Sequence, residues 1–249
     1  MSNEIIKLVG NRKSVRNFSG GKVSEKDLEL IMKTVLRMPN SRNLQQLSFV
    51  VVQDKEKIQK LAEYCGKQKQ VATADAFVII LGDYSKFIGS LKSKGEEINE
   101  NIFSTSVIAN MFGDAGIAAS TIDLVGNSLG YGSTIIGGVF SVAPLEICKL
   151  LKLPKHTFPL LGVTLGVPEE KVKNAPLKPR TNFDNVVFFE EYDESKAVEG
   201  VVEYDEELNK YWESIGVQLP SHLDVIKSYL SGINNEFLTE FMKEQGFKK

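Results

Sequence analysis

NIFSTSVIANMFGDAGIAASTIDLVGNSL, residues 101–129, is the longest segment of the chain with apolar residues at helical spacing. It predicts one long helix. Ala109, Gly113, Ala115, Gly116, Ala118 and Ala119 recur along it, and side chains this small let a second backbone come close. Asn110, Asp114 and Asp123 interrupt the apolar pattern. Such a helix serves at the centre of a bundle, across a dimer interface or as ordinary core, and the sequence leaves these open.

The segments on either side alternate between strand and helix. Residues 25–37 carry an apolar stripe at Leu28, Leu30, Ile31, Val35 and Leu36 behind a Ser24 start, which predicts a helix. Residues 47–53, LSFVVVQ, and 76–81, AFVIIL, read as buried strands rich in β-branched residues. Asp54-Lys55-Glu56 opens a helix running to about Tyr64. Beyond the central segment, 131–138 reads as a short strand ending in Gly137-Gly138. Pro144–Leu151 reads as a helix with proline in its first turn, and 157–166, TFPLLGVTLG, as a further apolar strand. This alternation predicts an α/β or α+β protein with a layered core. After Pro168 the composition turns polar. Residues 169–203 show few helical signals, whereas Asp205–Trp212 and Leu223–Phe247 look helical. We expect one domain over 1–249: a core to about 168, then a C-terminal extension that wraps the body or a partner subunit.

Composition narrows the function. The chain has 249 residues, a formal charge of −2 and 42% hydrophobic residues. A sequence pI of about 5.9 argues against general nucleic-acid or membrane-surface binding, which needs a basic footprint. Two isolated histidines, and two cysteines without metal spacing, argue against a zinc site. Cys65 and Cys148 read as inert thiols in a reducing compartment. The N-terminal stretch lacks the apolar core of a secretory signal, and no segment reaches membrane-span length. The expectation is a cytoplasmic protein with no nucleic-acid or membrane partner and no metal.

Three clusters hold the material for chemistry. RKSVRNF, residues 12–18, sets Arg12, Ser14 and Arg16 at every second position. On extended backbone these share one side, with Lys13 and Val15 on the other. Two guanidiniums flanking a hydroxyl suit a phosphate monoester; a solvated basic turn reads the same way. Asn40-Ser41-Arg42-Asn43, between a helix and a strand, suits the donor–acceptor edge of a planar ring, or plain turn chemistry. Lys178-Pro179-Arg180 offers two cations about a rigid proline: a second grip on an anion, or an exposed loop. Gly137-Gly138 matches neither a Walker loop nor GxGxxG.

In this order the pieces resemble the FMN-dependent nitroreductases, in the subgroup of the oxygen-insensitive NADPH nitroreductase and flavin reductase P. The resemblance runs from Arg12-Lys13-Ser14-Val15-Arg16-x-Phe18 through Pro39-x-Ser41-x-Asn43-x-Gln45 and Gly66-Lys67-Gln68-Lys69. It continues through Gly130-Tyr131-Gly132, Ile136-Gly137-Gly138 and Leu150-Leu151-Lys152-Leu153-Pro154 to Leu177-Lys178-Pro179-Arg180. It implies an α+β fold: a central, mostly antiparallel sheet flanked by helices, with a C-terminal helical tail embracing the partner of a homodimer. It also implies two non-covalent FMN molecules at the subunit interface.

By the same resemblance, Arg12, Lys13, Ser14 and Arg16 hold the ribityl phosphate and pyrimidine edge. Asn40, Ser41 and Asn43 reach the ring from the partner subunit. Gln68 touches the ring edge, and Ile136, Gly137 and Gly138 bring backbone close to it. Lys178 and Arg180 form a second phosphate grip. The flavin carries the chemistry, so no acid–base dyad or nucleophile is expected, and Arg16 is the candidate stabiliser of the reduced ring. The implied activity is ping-pong reduction of nitroaromatics, quinones or free flavins by NADPH or NADH. An alternative is a flavin reductase supplying reduced FMN to a monooxygenase. One departure stands out. NADPH-specific relatives place arginines after the helix matching 205–213, and residues 214–222, SIGVQLPSH, contain none. Either NADH serves as donor, or Lys67, Lys69 or Lys227 supplies the grip.

Overall fold

The computed structural model describes residues 3–98, 104–232 and 236–247. Two compact units divide the chain, Met1–Ala175 with Glu236–Lys249, and Pro176–Asn235. In chain order the first unit begins with helices α1 (Glu4–Gly10) and α2 (Glu25–Val35), strand β1 (Leu47–Val52), and helices α3 (Lys55–Tyr64) and α4 (Lys69–Ala72). Strand β2 (Ala76–Asp83), α5 (Ser85–Ser93), α6 (Thr105–Ser128), β3 (Gly132–Ile136), α7 (Gly138–Ser141) and α8 (Pro144–Leu151) follow. Next are β4 (Thr157–Gly166) and α9 (Glu170–Lys173). The second unit holds α10 (Glu194–Ser214) and α11 (His222–Ser231), after which α12 (Glu236–Glu244) rejoins the first.

The sheet runs β1-β2-β4-β3, antiparallel at every pairing. Both faces are covered over β2 and β4, which explains their unbroken apolar runs; β1, expected to be buried, is an edge strand that stays half-exposed, with Val51 39% exposed. In β2, Val78 and Ile80 join one core with Met111, Ala115, Ala118, Ala119 and Ile122 of α6 and with Leu28, Ile31 and Val35 of α2. Phe77, Ile79 and Leu81 point to the opposite core, with Ile58 and Leu61 of α3, Val139 of α7 and Ile147 of α8. This is the two-residue period of a strand. Phe241 and Met242 of α12, and Phe247 just beyond it, fill the α6 side.

The small residues of α6 divide by face. Ala115, Ala118 and Ala119 pack toward the sheet, and a Cβ on Gly126 would lie 2.8 Å from the Leu165 side chain. Ala109, Gly113, Gly116 and Ser120 lie on the exposed side with Ile117. The expected helix over 101–129 is realised from Thr105, capped by the Ser104 hydroxyl; residues 101–103 lie outside the described residues.

Most expected elements are present within a residue or two. Three differ. The strand expected to end in two glycines stops at Ile136, and Gly138 opens α7 instead. The tail is helical from Glu194, eleven residues before the expected start, because Asp193 caps it by accepting from the Lys196 N–H. The segment expected to be helical over 223–247 divides into α11 and α12, with 233–235 outside the described residues. Residues 169–175 belong to the first unit together with 1–168.

Candidate functional site

The basic N-terminal segment lies along the outer edge of β3. Val15 N–H donates to Ser133 O at 2.8 Å, and the Thr134 hydroxyl donates to Val15 O at 2.6 Å. Farther on, Phe18 forms a bridge with Pro168 and Ser19 N–H donates to Val167 O. Val15 and Phe18 are buried against Ala74 and Val172. This pins the backbone against the edge of the sheet.

Lys13 goes the way of Val15. Its ammonium donates to the carbonyl oxygens of Val172, Lys173 and Ala175 at 3.2, 3.0 and 2.7 Å. An ammonium has three protons, and all three have acceptors here. Arg12 turns instead to α6, with Nη1 3.4 Å from Asp123 Oδ2. Ser14 and Arg16 have no side-chain hydrogen bond or ion pair among the described residues, and Arg16 is exposed. The segment therefore presents two guanidiniums and a hydroxyl with donors to offer.

At the far end of β3, Gln68 and the glycine pair come together. A Cβ on Gly138 would lie 2.7 Å from Cys65 O and 3.0 Å from Gln68 Nε2, so glycine is required there by the neighbouring turn. Gln68 donates to Cys65 O at 2.9 Å and accepts from the Gln70 amide. Ile136 is buried, whereas Gly137 is exposed and has open space at its Cβ position.

The Asn40–Gln45 loop is held under strain. Arg42, Asn43 and Gln45 all have φ between 51° and 54°, a region that costs Arg42 and Gln45 roughly 1–2 kcal/mol each and that asparagine tolerates better. The buried Asp114 of α6 holds the loop in place. It accepts from Ser41 N–H at 3.0 Å, from the Ser41 hydroxyl at 2.8 Å and from Gln46 Nε2 at 2.8 Å. Tyr84 O–H donates to the other end of the Gln46 amide. Asn40 Oδ1 accepts from Gln45 N–H. Ser41 is thus occupied within the protein, while Asn43 is exposed. A cavity of about 400 Å³ opens beside this loop, walled by Leu36, Met38, Leu47, Phe49 and Phe87 with Asp114 at its lining.

Lys178 and Arg180 lie in the second unit. The Lys178 ammonium sits 4.6 Å from the Trp212 ring centroid, a cation–π contact, and Arg180 Nη1 donates to Lys178 O and Pro179 O. His222 packs edge-on against Tyr204. Burial pushes the Cys65 thiol up to about 12, and it pushes Cys148 equally high, so neither is a nucleophile near neutral pH. Among the described residues no cluster of His, Cys, Asp and Glu could hold a metal, and no helix is long and apolar enough to cross a membrane.

Asp114, Asp123 and Gln46 were not anticipated as site residues. In the sequence the two acids read as interruptions of an apolar helix. The signal lay in that reading: an acid on the buried face of a helix needs a partner, and here each partner belongs to a site motif.

Taken together, these features define an α+β ligand-binding protein with a cationic, hydroxyl-bearing strip along one sheet edge. The chain belongs to the nitroreductase family. Residues 9–167 match the family itself, and residues 178–249 match the nitroreductase family C-terminal domain. An NAD(P)H FMN reductase of Bacillus subtilis strain 168 is 30% identical over 251 residues, covering 99% of this chain and 98% of that protein. The oxygen-insensitive NADPH nitroreductase of Salmonella typhimurium is 29% identical over 244 residues, covering 97% of each. Among solved structures, the hypothetical oxidoreductase YcnD from Bacillus subtilis superposes with a TM-score of 0.92 at 30% identity, covering 99% of each chain.

Proposed function

We propose that this chain is an FMN-dependent oxidoreductase that takes electrons from NADPH or NADH and passes them to nitroaromatics, quinones or free flavins. The strip along β3 carries this reading. The segment carrying Arg12, Ser14 and Arg16 meets the strand at Ser133 and Thr134, and Gln68 and the Gly137-Gly138 backbone lie beyond its far end. The three to four residues between span roughly 10–13 Å. FMN is elongated, with a dianionic phosphate at one end and a ring of hydrogen-bonding edges at the other, so the donor set fits it. The names of the relatives support the same cofactor and donors.

When bound, FMN supplies two-electron transfer between the nicotinamide and the acceptor. The protein's part is binding and orientation. Arg12 and Arg16 offer fixed charge and planar donors to the phosphate and to the flavin's anionic edge, and Ser14 offers a hydroxyl. Gln68, oriented by Cys65 O, presents its amide toward the ring end. Lys178 and Arg180 offer two further cations to an anion, and Asn40 and Asn43 act on the flavin of the partner, with Ser41 holding their loop through Asp114. The chain works as a cytoplasmic homodimer. The exposed Ala109-Gly113-Gly116-Ser120 side of α6, with Ile117 beside it, and the uncovered Ile5, Ile6 and Val9 of α1 support the dimer.

An anaerobic visible spectrum of the purified protein tests the proposal. A flavin spectrum bleached by NADH or NADPH is expected, and the faster donor decides what the absence of arginine over 214–222 means. A colourless protein that takes up no added FMN would refute the reading. The second reading, a reductase supplying reduced FMN to a monooxygenase, is favoured by the FMN reductases among the relatives. It predicts far higher kcat/KM for free FMN than for a nitroaromatic.

A further inference from the structure

Asp123 divides its work between its two oxygens. It is 2% exposed, in α6 behind the basic segment. Oδ1 accepts from the Asn127 side-chain amide at 3.1 Å and from the Ser133 hydroxyl. Oδ2 faces Arg12 Nη1 at 3.4 Å, its one partner among the described residues. An asparagine would satisfy Asn127 and Ser133 equally well through its carbonyl. The charge is therefore needed only by Arg12, and burying a carboxylate is costly unless it is paired.

The guanidinium is a rigid plane with five N–H donors. Asp123 engages one N–H of the group, and the Arg12 side chain remains 27% exposed. That contact restrains the side-chain rotamer and narrows the directions in which the remaining donors point. An arginine held this way loses less rotamer freedom when an anion arrives than one that moves freely in solvent. The carboxylate also opposes an approaching phosphate by simple repulsion, so the two effects predict opposite outcomes when the charge is removed.

We propose that Asp123 is a positioning residue of the phosphate clamp: it orients the Arg12 guanidinium so that its other donors meet the flavin phosphate. Asp123 itself touches no ligand. The inference rests on the FMN reading above and names a residue that reading does not contain.

The experiment compares FMN with riboflavin, which lacks the phosphate. Full-length protein is stripped of flavin and titrated with each by quenching of flavin fluorescence. In Asp123→Asn the new carbonyl keeps Asn127 and Ser133 supplied, and the new NH2 group opposes Arg12. FMN affinity is expected to fall at least about tenfold, with riboflavin affinity changed by less than about twofold. Arg12→Ala should collapse the same ratio, and Asp123→Asn added to it should lower the ratio no further. Arg12→Lys keeps the charge but lacks the planar fork that Asp123 orients, so it too should lower the ratio, which gives a test should Asp123→Asn fail to fold.

Equal weakening of both flavins by Asp123→Asn would show a structural role and overturn the proposal. So would tighter FMN binding, an unchanged ratio, additive losses in the double variant or an undiminished preference in Arg12→Lys. A wild-type protein that binds riboflavin as tightly as FMN would overturn the clamp itself. A wild-type preference that Asp123→Asn leaves intact overturns only the role of Asp123.

Discussion

The Lys13 ammonium lies 2.7 Å from the carbonyl oxygen of Ala175, the last residue of the first unit before the chain passes into the second. Two further carbonyls, from Val172 and Lys173, complete its shell. A residue expected among the flavin's ligands is thus a tether within the protein. Lys13→Met should destabilise the first unit by about 1.5–3 kcal/mol, the usual range for a charge-assisted hydrogen bond. It should also open residues 170–178 to proteolysis. Urea unfolding and limited digestion would read both, and an unchanged digestion pattern would contradict the tether.

Arg16 behaves in the opposite way. It is exposed and has no partner among the described residues, so Arg16→Ala should leave stability within about 0.5 kcal/mol of wild type. FMN affinity should nevertheless fall about tenfold to a hundredfold, the worth of a charge-assisted hydrogen bond of about 1.5–3 kcal/mol. Purification with full flavin would show that Arg16 is not part of the clamp.

The strained loop predicts a gain. Arg42 has φ 54°, where a glycine carries no Cβ penalty. Arg42→Gly should stabilise by up to about 1 kcal/mol, less what the freer unfolded chain takes back. Asp114→Ala should cost about 1–3 kcal/mol, because the buried Gln46 and the partly buried Ser41 lose their acceptor. Denaturant midpoints test both, and a destabilised Arg42→Gly would mean the loop is not under backbone strain.

Gly138→Ala should lower stability and flavin affinity together. The added methyl meets Cys65 O, a backbone atom, and must displace the turn that orients Gln68. A Gly137→Ala control has open space at that position and should be mild.

Asp83 sets an acid limit. Burial alone would push its carboxyl up, but hydrogen bonds from Ser48, Ser85, Thr157 and the Lys86 N–H outweigh this and hold it below the usual carboxylate range. A lowered folded pKa contributes stability that is present above the unfolded value near 3.9 and lost as pH falls through the folded one. Asp83→Asn should therefore be less stable at pH 6 yet flatten the loss of stability below pH 4. Unfolding curves from pH 6 to pH 3 would show it, and parallel slopes for the two proteins would refute it.

The sequence carried the sheet and its covering helices well, because a strand buried on both faces and a capped amphipathic helix leave local signatures. Leu47–Val52, Ala76–Asp83 and Thr157–Gly166 were legible as apolar runs, and Pro144–Leu151 from its first-turn proline. Helix α10 was legible only in its second half, as Asp205–Trp212; in the first half Val198 and Val202 on the exposed surface break the expected amphipathic pattern. In the site, the basic segment was legible from its composition and spacing. The partners Asp123 and Asp114 lie 111 and 73 residues away from Arg12 and Ser41, and no local pattern encodes contacts that long.

Helix α12 seals the same core that α2 begins: Phe241 and Met242 pack in one cluster with Leu28 and Ile31, and His156 N–H donates to Gln245 O. A nascent chain therefore leaves the ribosome with its first two hundred or so residues unable to close their largest apolar surface. The second unit must be synthesised, and bypassed, before the first can finish. Closure of the first unit waits on its last helix, and its vulnerable interval lasts as long as the inserted unit takes to be made.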